Sequence, residues 1–469
     1  MRCIAVFDIG KTNKKLFLFN QQYDIVWETS TQFAETVDED GEACEDVDRL
    51  TSWIRQTMQD VLTKPEFDVQ ALNVSTYGAS LVCVDGQGQA AGPLYNYLKA
   101  YPAELSKQFY DSYGPEEPIS VATASPALGS LNSGLALYRI RHRQPDLFDK
   151  TRYALHLPQY VSSLFTRQFY SDLTSIGCHT MLWNFDQQQY HDWVKAEQLD
   201  QKLAPLFPGN AVIDTVVCGK SMKVGVGLHD SSAALIPYLV QLRDGSDPRP
   251  FVLISTGTWC ISLNPFNTQP LTAEELQYDC LCYLNYQGQA VKASRLFAGY
   301  EHEQQVQRLA THFGVPLDTY KHVPYDPLLI DELPTRPVQP VPSPLTTKQP
   351  AVLVQSAFTR RELSDFATYE QAYHQLVHDI VAQQLISTEL VLHRSPVKRL
   401  FVDGGFSKNP IYMALLASAF PQLDVSAASV AQATALGAAL AIHDSWNSLP
   451  LPNNLVQLRP VSASISKTV

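Results

Sequence analysis

One pattern occurs twice in this chain and restricts what it can become. Ile4 to Asp8 is an apolar run ending in an acid, followed by Ile9-Gly10-Lys11-Thr12-Asn13 and the alternating stretch Lys14 to Asn20. That order reads as strand, tight glycine turn, strand, a β-hairpin whose turn offers hydroxyl, amide and backbone N–H groups. About half the chain later, Phe251 to Ile254 leads into Ser255-Thr256-Gly257-Thr258 and on through Cys260 to Asn267, with Gly257 standing where Gly10 stood. A pattern repeated at half the chain length predicts two similar lobes.

After each hairpin the signals alternate between helix and strand, which makes the fold class α/β. The second half is clearest. Leu376, Val377, Ile380, Val381 and Leu385 recur at helical spacing, and Arg399 to Val402 reads as a short buried strand ending in Asp403-Gly404-Gly405. Asn409 is placed to cap a helix with Pro410 at its first position, Ile411 to Phe420 as its body and Pro421 as its stop. A further helix is expected near Ala427 to Ile442, where Ala435, Gly437, Ala438 and Ala439 allow close packing. The polar stretch Arg243 to Pro248 divides the chain into lobes 1–247 and 248–469, and the proline-dense Leu333 to Pro350 reads as an extended excursion from the second lobe.

Composition narrows the partners. The net charge is −12 over 469 residues and no basic run is present, so neither nucleic acid nor an anionic membrane surface is expected as partner. A small anion such as a nucleotide stays open, because backbone amides, a lysine and a divalent ion can bind phosphate locally. The longest apolar stretches, such as Ile411 to Phe420, fall well short of the roughly 20 residues of a membrane span. Asp8 interrupts the N-terminal apolar run before a signal-peptide core could form, so a cytoplasmic location is expected. The eight cysteines lack zinc-type pairing and read as buried thiols.

Gly-, Thr- and Asn-rich turns from two lobes suit a polyphosphate, since free N–H groups and hydroxyls converge on anionic oxygens. Asp8, leaving a buried strand, could hold Mg²⁺ through water. In Gly227-Leu228-His229-Asp230-Ser231, Asp230 is either a helix cap or a general base at a helix N-terminus, and His229 could bond a substrate hydroxyl.

Taken in order, Asp8 to Asn13, Gly227 to Asp230, Ser255 to Thr258, Asp403-Gly404-Gly405 with Ser407 and Asn409, and Ala435 to Ala439 resemble the FGGY carbohydrate kinases over nearly the whole chain. The resemblance implies two actin-like, ribonuclease-H-like lobes with the active site in the cleft between them, and ATP-dependent phosphorylation of a sugar hydroxyl. It implies Asp230 as general base, Asp8 as organiser of Mg²⁺, and a first phosphate turn of Gly10, Lys11, Thr12, Asn13 and Lys15. It further implies phosphate contacts from Thr256, Gly257 and Thr258, with Gly404, Gly405, Asn409 and Gly437 beside the nucleotide. Thr76, Tyr77, Asn96, Thr174 and His229 would face the sugar, and the segments around Tyr77, Asn96 and His229 are most similar to rhamnulokinases and fuculose kinases. A ketose or 6-deoxyketose is therefore the expected acceptor, with a homodimer left open. Where that family signature carries an acid and a base after Tyr97, this chain has Leu98-Lys99-Ala100-Tyr101, and Gly134 to Tyr138 also departs from the usual pattern. The fold alone would also permit an actin- or chaperone-like ATP-driven binding protein or a non-catalytic sugar sensor. The acids Asp8 and Asp230 and the polar aromatic stretch Thr76 to Tyr97 favour the kinase.

Overall fold

The computed structural model describes residues 1–243, 248–333 and 356–461. Most of the polar stretch between the lobes and nearly all of the proline-rich stretch 333–350 lie outside the described residues. The chain forms two compact units: Met1–Ser246 with Cys282–Ala290 and Ala431–Leu455, and Asp247–Leu281 with Val291–Val430 and Val456–Val469.

In the first unit the sheet runs Val212–Val217, Lys220–Gly225, Asp68–Thr76, Arg2–Ile9, Lys14–Asn20, Ile25–Thr31, with Leu228–His229 also paired to Asp68–Thr76. The strand Arg2–Ile9 is buried on both faces, as a strand flanked by helices must be. Cys3, Ala5, Phe7 and Ile9 join a core with Leu50, Ile54, Met58 and Val61 of the helix Val47–Leu62 and Tyr160 and Val161 of the helix Leu157–Thr166. The period of two sends Ile4, Val6 and Asp8 to the opposite face, against which the helix Ala433–Ala441 packs. Asp46 starts the helix Val47–Leu62 by accepting from the Arg49 N–H at 2.9 Å.

The second unit repeats the plan. Phe251–Thr256 pairs antiparallel with Cys260–Asn264 and parallel with Arg399–Gly404, as Arg2–Ile9 does with Lys14–Asn20 and Asp68–Thr76. Its sheet continues through Asp424–Ser429 to Gln457–Pro460 on one side and through Ala290–Leu296 on the other. The helix expected at 411–420 is Pro410–Ala419, with Asn409 capping it through the N–H groups of Ile411 and Tyr412. The helix expected from Ala427 begins only at Ala433, because Asp424–Ser429 is a strand beside Arg399–Gly404. Small residues fit either state, so that run carries no clear period. Seven cysteines are buried as expected, whereas Cys218 is exposed at a two-residue hairpin turn. Among the described residues, no helix is long and apolar enough to cross a membrane.

Candidate active site

The register of three parallel strands assembles the acidic end of the first unit. Asp8, Ser75 and Leu228 share one level, and Ile9, Thr76 and His229 the next. Asp230 follows at once as the first residue of the helix Asp230–Arg243. Asp8, Thr76, Tyr77, His229 and Asp230 therefore collect at the carboxyl ends of neighbouring strands, where α/β sheets place ligands.

Both carboxyls are held above their ordinary range. Burial pushes Asp8 up to about 6 and the charge of Asp230 adds to this, while a hydrogen bond from Thr434 and the charge of Lys15 work against it. The Thr434 hydroxyl donates to Asp8 at 2.9 Å. Burial likewise pushes Asp230 up to about 6, opposed by hydrogen bonds from the Ser231 N–H and hydroxyl. The environment outweighs the favourable helix N-terminus, so each carboxylate is ionised at neutral pH but poised near it.

His229 sits with Nε2 3.3 Å from Asp230 Oδ1 and 3.6 Å from Cys178 Sγ. Burial lowers its pKa to about 4, so the imidazole is neutral, and Nδ1 is buried without a hydrogen-bond partner. Its ring lies 6.4 Å from His179 and 6.2 Å from Tyr283. Space for it exists because residue 78 is glycine: a Cβ there would stand 2.5 Å from Nε2. Thr174 is fully buried and works as a strut, its hydroxyl accepting from the His229 N–H at 2.9 Å and donating to Asp172. Asp172 caps the short helix Leu173–Ile176, and burial raises its carboxyl to about 7.

The remaining predicted residues of this unit fall into two groups. The Thr76 hydroxyl donates to its neighbour's carbonyl, while Tyr77 packs on Tyr97 with ring centres 5.9 Å apart. Lys11 lies 5.9 Å from the centre of that second ring and is held by Glu35 at 2.7 Å and Glu45 at 3.4 Å. Asn96 donates to Glu35 as well, at 3.2 Å. Lys11 and Asn96 thus belong to one charged cluster beside Tyr97. On the other side of the turn, Gly10 donates to the Asn13 carbonyl at 2.9 Å, Asn13 accepts from Gln32 at 2.7 Å, and Lys15 stands opposite Asp8 in the hairpin. Thr12 is exposed in the turn. Gly437 lies in this first unit, where its missing side chain admits the Ala233 carbonyl.

In the second unit two glycines let other backbone press against the end of Phe251–Thr256 and its turn. Gly404 has φ +89, and a Cβ on it would stand 1.8 Å from the Thr256 carbonyl oxygen. Gly299 meets the Gly257 carbonyl oxygen equally closely. The Thr256 hydroxyl donates to the Asp403 carbonyl and accepts from the Phe406 N–H at 3.0 Å, while Tyr300 N–H reaches the Thr258 carbonyl at 3.1 Å. These bonds lock two backbone segments around a cavity of about 460 Å³ lined by Gly257, His302, Tyr320, Gly405, Phe406 and Asn409, among others. His302, kept neutral by burial at about 4, packs edge-on against Phe406 at 5.2 Å and Tyr320 at 5.1 Å. Asn409 spends its oxygen on the helix cap and donates to the Tyr373 hydroxyl at 2.8 Å.

Sequence reasoning missed Thr434, Cys178, His179, Tyr283, Glu35, Glu45, His302 and Tyr320.

Two glycine-turn hairpins in repeated α/β units, with carboxylates at the strand ends, define an α/β protein of the actin-like ATPase fold. The model of the FGGY family of carbohydrate kinases, N-terminal domain, matches residues 3–236, and models of that family's C-terminal domain match 248–324 and 367–442. The chain belongs to the FGGY family of carbohydrate kinases and is an enzyme of that class. A search of curated protein sequences finds no match. Among solved structures, a carbohydrate kinase from Novosphingobium aromaticivorans is 21% identical with TM-score 0.79, over 98% of this chain and 94% of that one. A ligand-bound xylulose kinase from Lactobacillus acidophilus is 14% identical with TM-score 0.78, over 99% and 94%. The glycerol kinase of Plasmodium falciparum with ADP is 13% identical with TM-score 0.72, over 96% and 91%.

Proposed function

We propose that this kinase transfers the γ-phosphoryl group of ATP to a hydroxyl of a neutral ketose or 6-deoxyketose, of the rhamnulose, fuculose or xylulose kind, with Asp230 as general base. The observation that carries the reading is the placement of Asp8 and Asp230 at the carboxyl ends of neighbouring strands, with Asp230 opening a helix and burial favouring the neutral form of both. Their positions separate their roles: Asp230 at a helix start suits a proton acceptor, and Asp8 at a strand end suits a metal holder.

In this reading Asp230 accepts the proton of the acceptor hydroxyl as its oxygen attacks the γ-phosphorus, and the β–γ bridging oxygen leaves with ADP. Neutral His229 brings Nε2 within 3.3 Å of Asp230 Oδ1, where a small shift on substrate binding would make it a donor that orients the carboxylate. Tyr77 and Tyr97 supply a half-apolar wall of the kind that suits a sugar face. Lys11, already matched by Glu35 and Glu45, offers little net charge to a sugar acid, which favours an uncharged acceptor. Gly257, Gly404 and Gly405 spend their N–H groups on the Trp259 carbonyl, the Asp403 carboxylate and the Thr256 carbonyl, so the exposed Thr258 is the member of this turn suited to a nucleotide phosphate, and the neighbouring aromatic cavity is suited to the base.

Asp8 fits a magnesium site: a half-buried carboxylate held by one hydroxyl, near a second carboxylate, suits an ion that keeps most of its waters and takes phosphate oxygens. Bound there, Mg²⁺ would offset the charge of the transferring phosphates.

The test is ADP release from MgATP across a panel of ketoses, 6-deoxyketoses, polyols and aldonates, beside the Asp230→Ala variant. One neutral sugar should stimulate turnover, and the variant should lose about 10²- to 10⁴-fold in kcat while still binding nucleotide. Sugar-independent turnover, or near-wild-type rates in the variant, would overturn the reading.

A further inference from the structure

A second cavity lies in the first unit, at the C-terminal end of the helix Leu157–Thr166, with a volume of about 780 Å³. None of the residues lining it belongs to the candidate active site described above. It is an open groove bordered by exposed side chains: Arg55 and Gln59 one turn apart on the helix Val47–Leu62, Gln87 and Gln89 on the turn after Leu81–Val84, and Arg167 at the end of the helix itself.

Its charge runs against that of the molecule. The chain carries −12, yet two guanidinium groups line this cavity and no carboxylate does. Neither the Arg55 nor the Arg167 guanidinium has a hydrogen bond or ion pair among the described residues, in contrast to Arg295 and Arg361, which clasp Asp279 and Asp379. Arg167 moreover holds φ +55, a left-handed conformation that glycine or asparagine would adopt more easily.

We propose that this cavity binds a small phosphomonoester. Two planar forks match phosphate oxygens bidentately, and the carboxamides of Gln59, Gln87 and Gln89 can donate to hydroxyls of the ester's organic part. The cavity lies within the size range of small-molecule sites and is far larger than a phosphate ion, and Phe165 and Phe169 give it an apolar wall. A free ion would leave that wall unused. A sugar phosphate and a nucleoside monophosphate share this chemistry and are separated by experiment. The site stands independently of the acceptor assigned to the kinase.

The full-length chain, with MgADP saturating its nucleotide site, is titrated calorimetrically with glucose 6-phosphate, AMP and inorganic phosphate. The expected result is saturable binding of one of the two esters at about one per chain, tighter than inorganic phosphate. The preferred ester names the source. Arg55→Ala/Arg167→Ala should weaken that binding at least about tenfold, the loss of a charged hydrogen bond, and leave the ester-free kinase rate unchanged. Arg55→Lys/Arg167→Lys, which keeps charge without the forks, should fall between the two and guards against a misfolded alanine pair. No saturable ester binding, binding of inorganic phosphate only, or equal affinity in all three proteins would overturn the proposal.

Discussion

Asp230 meets two opposed demands, since a base must be ionised at working pH while its surroundings favour the neutral form. Its folded pKa is about 6, against roughly 4 for a carboxyl in an unfolded chain. As pH falls from 7 the native carboxyl takes up a proton before the unfolded one does, so activity drops while this group's contribution to stability rises. That contribution is complete below about pH 4 and is lost as pH rises through about 6. Wild-type kcat/KM is therefore expected to fall below pH 6, approaching about a hundredfold per pH unit where both carboxyls must be ionised. Asp8 titrates in the same window, so the limb belongs to both carboxyls. Asp230→Asn should be inactive yet melt higher than wild type at pH 7 to 8, with the gap closing toward about pH 4. Calorimetry across that range decides; an Asn variant that melts lower at pH 8 would refute the strained carboxylate. Gly78→Ala tests the neighbouring position, because a Cβ 2.5 Å from His229 Nε2 must push the imidazole off Asp230. Turnover should fall about 10- to 100-fold with little change in melting temperature, as expected when a positioning group moves by about 1 Å. Asp8, His229 and Asp230 were legible because each ends a local pattern, an apolar strand or a helix start. Thr434, which bonds Asp8 across 426 residues, left no local trace.

At the scale of elements, backbones in close approach hold the site together. The helices Ala433–Ala441 and Asp230–Arg243 cross where Gly437 meets Ala233, and a Cβ at Gly437 would stand 1.8 Å from the Ala233 carbonyl oxygen. Asp230 begins the second of these helices and Thr434 lies on the first, so separating them disturbs both carboxylates at once. Gly437→Ala should destabilise by about 1–3 kcal/mol, the cost of overpacking, and lower sugar-dependent turnover by more than the melting shift alone explains. Thermal melts read beside steady-state rates check it; a variant with wild-type values of both would show that the crossing yields easily. The small-residue run was legible as a close-packing face, but its partner was not, because that partner is met only in the folded chain. The same limit hid the strand Asp424–Ser429, whose alanines and serines favour no period, although the cap Asn409 and Pro410 after it in reading the sequence marked their helix correctly.

The chain does not finish its first unit before starting its second. Residues 431–455 return to complete the unit begun at Met1. Asn73, fully buried in the strand Asp68–Thr76, donates to the Ala438 carbonyl at 2.7 Å, and Tyr23 bonds His443 at 2.6 Å. Without the returning segment, Asn73 would lose its bond in an apolar setting, at about 1–3 kcal/mol, and Ile4 and Val6 would lose the helix that covers their face. Those losses rival the 5–15 kcal/mol that holds a typical domain folded. The fragment Met1–Ser246, although it contains Asp8, Asp230 and the whole first sheet, is therefore expected to show no cooperative thermal transition and to bind a dye for exposed apolar surface. The full-length chain should melt cooperatively under the same conditions. Adding a peptide of residues 431–455 should restore part of the transition, since it returns the helix Ala433–Ala441 and with it the partners of Asn73 and Asp8. Should the fragment alone unfold cooperatively near the melting temperature of the full chain, the returning segment would be a cover on a unit already stable without it, and Thr434 would be a late addition to a site that forms on its own.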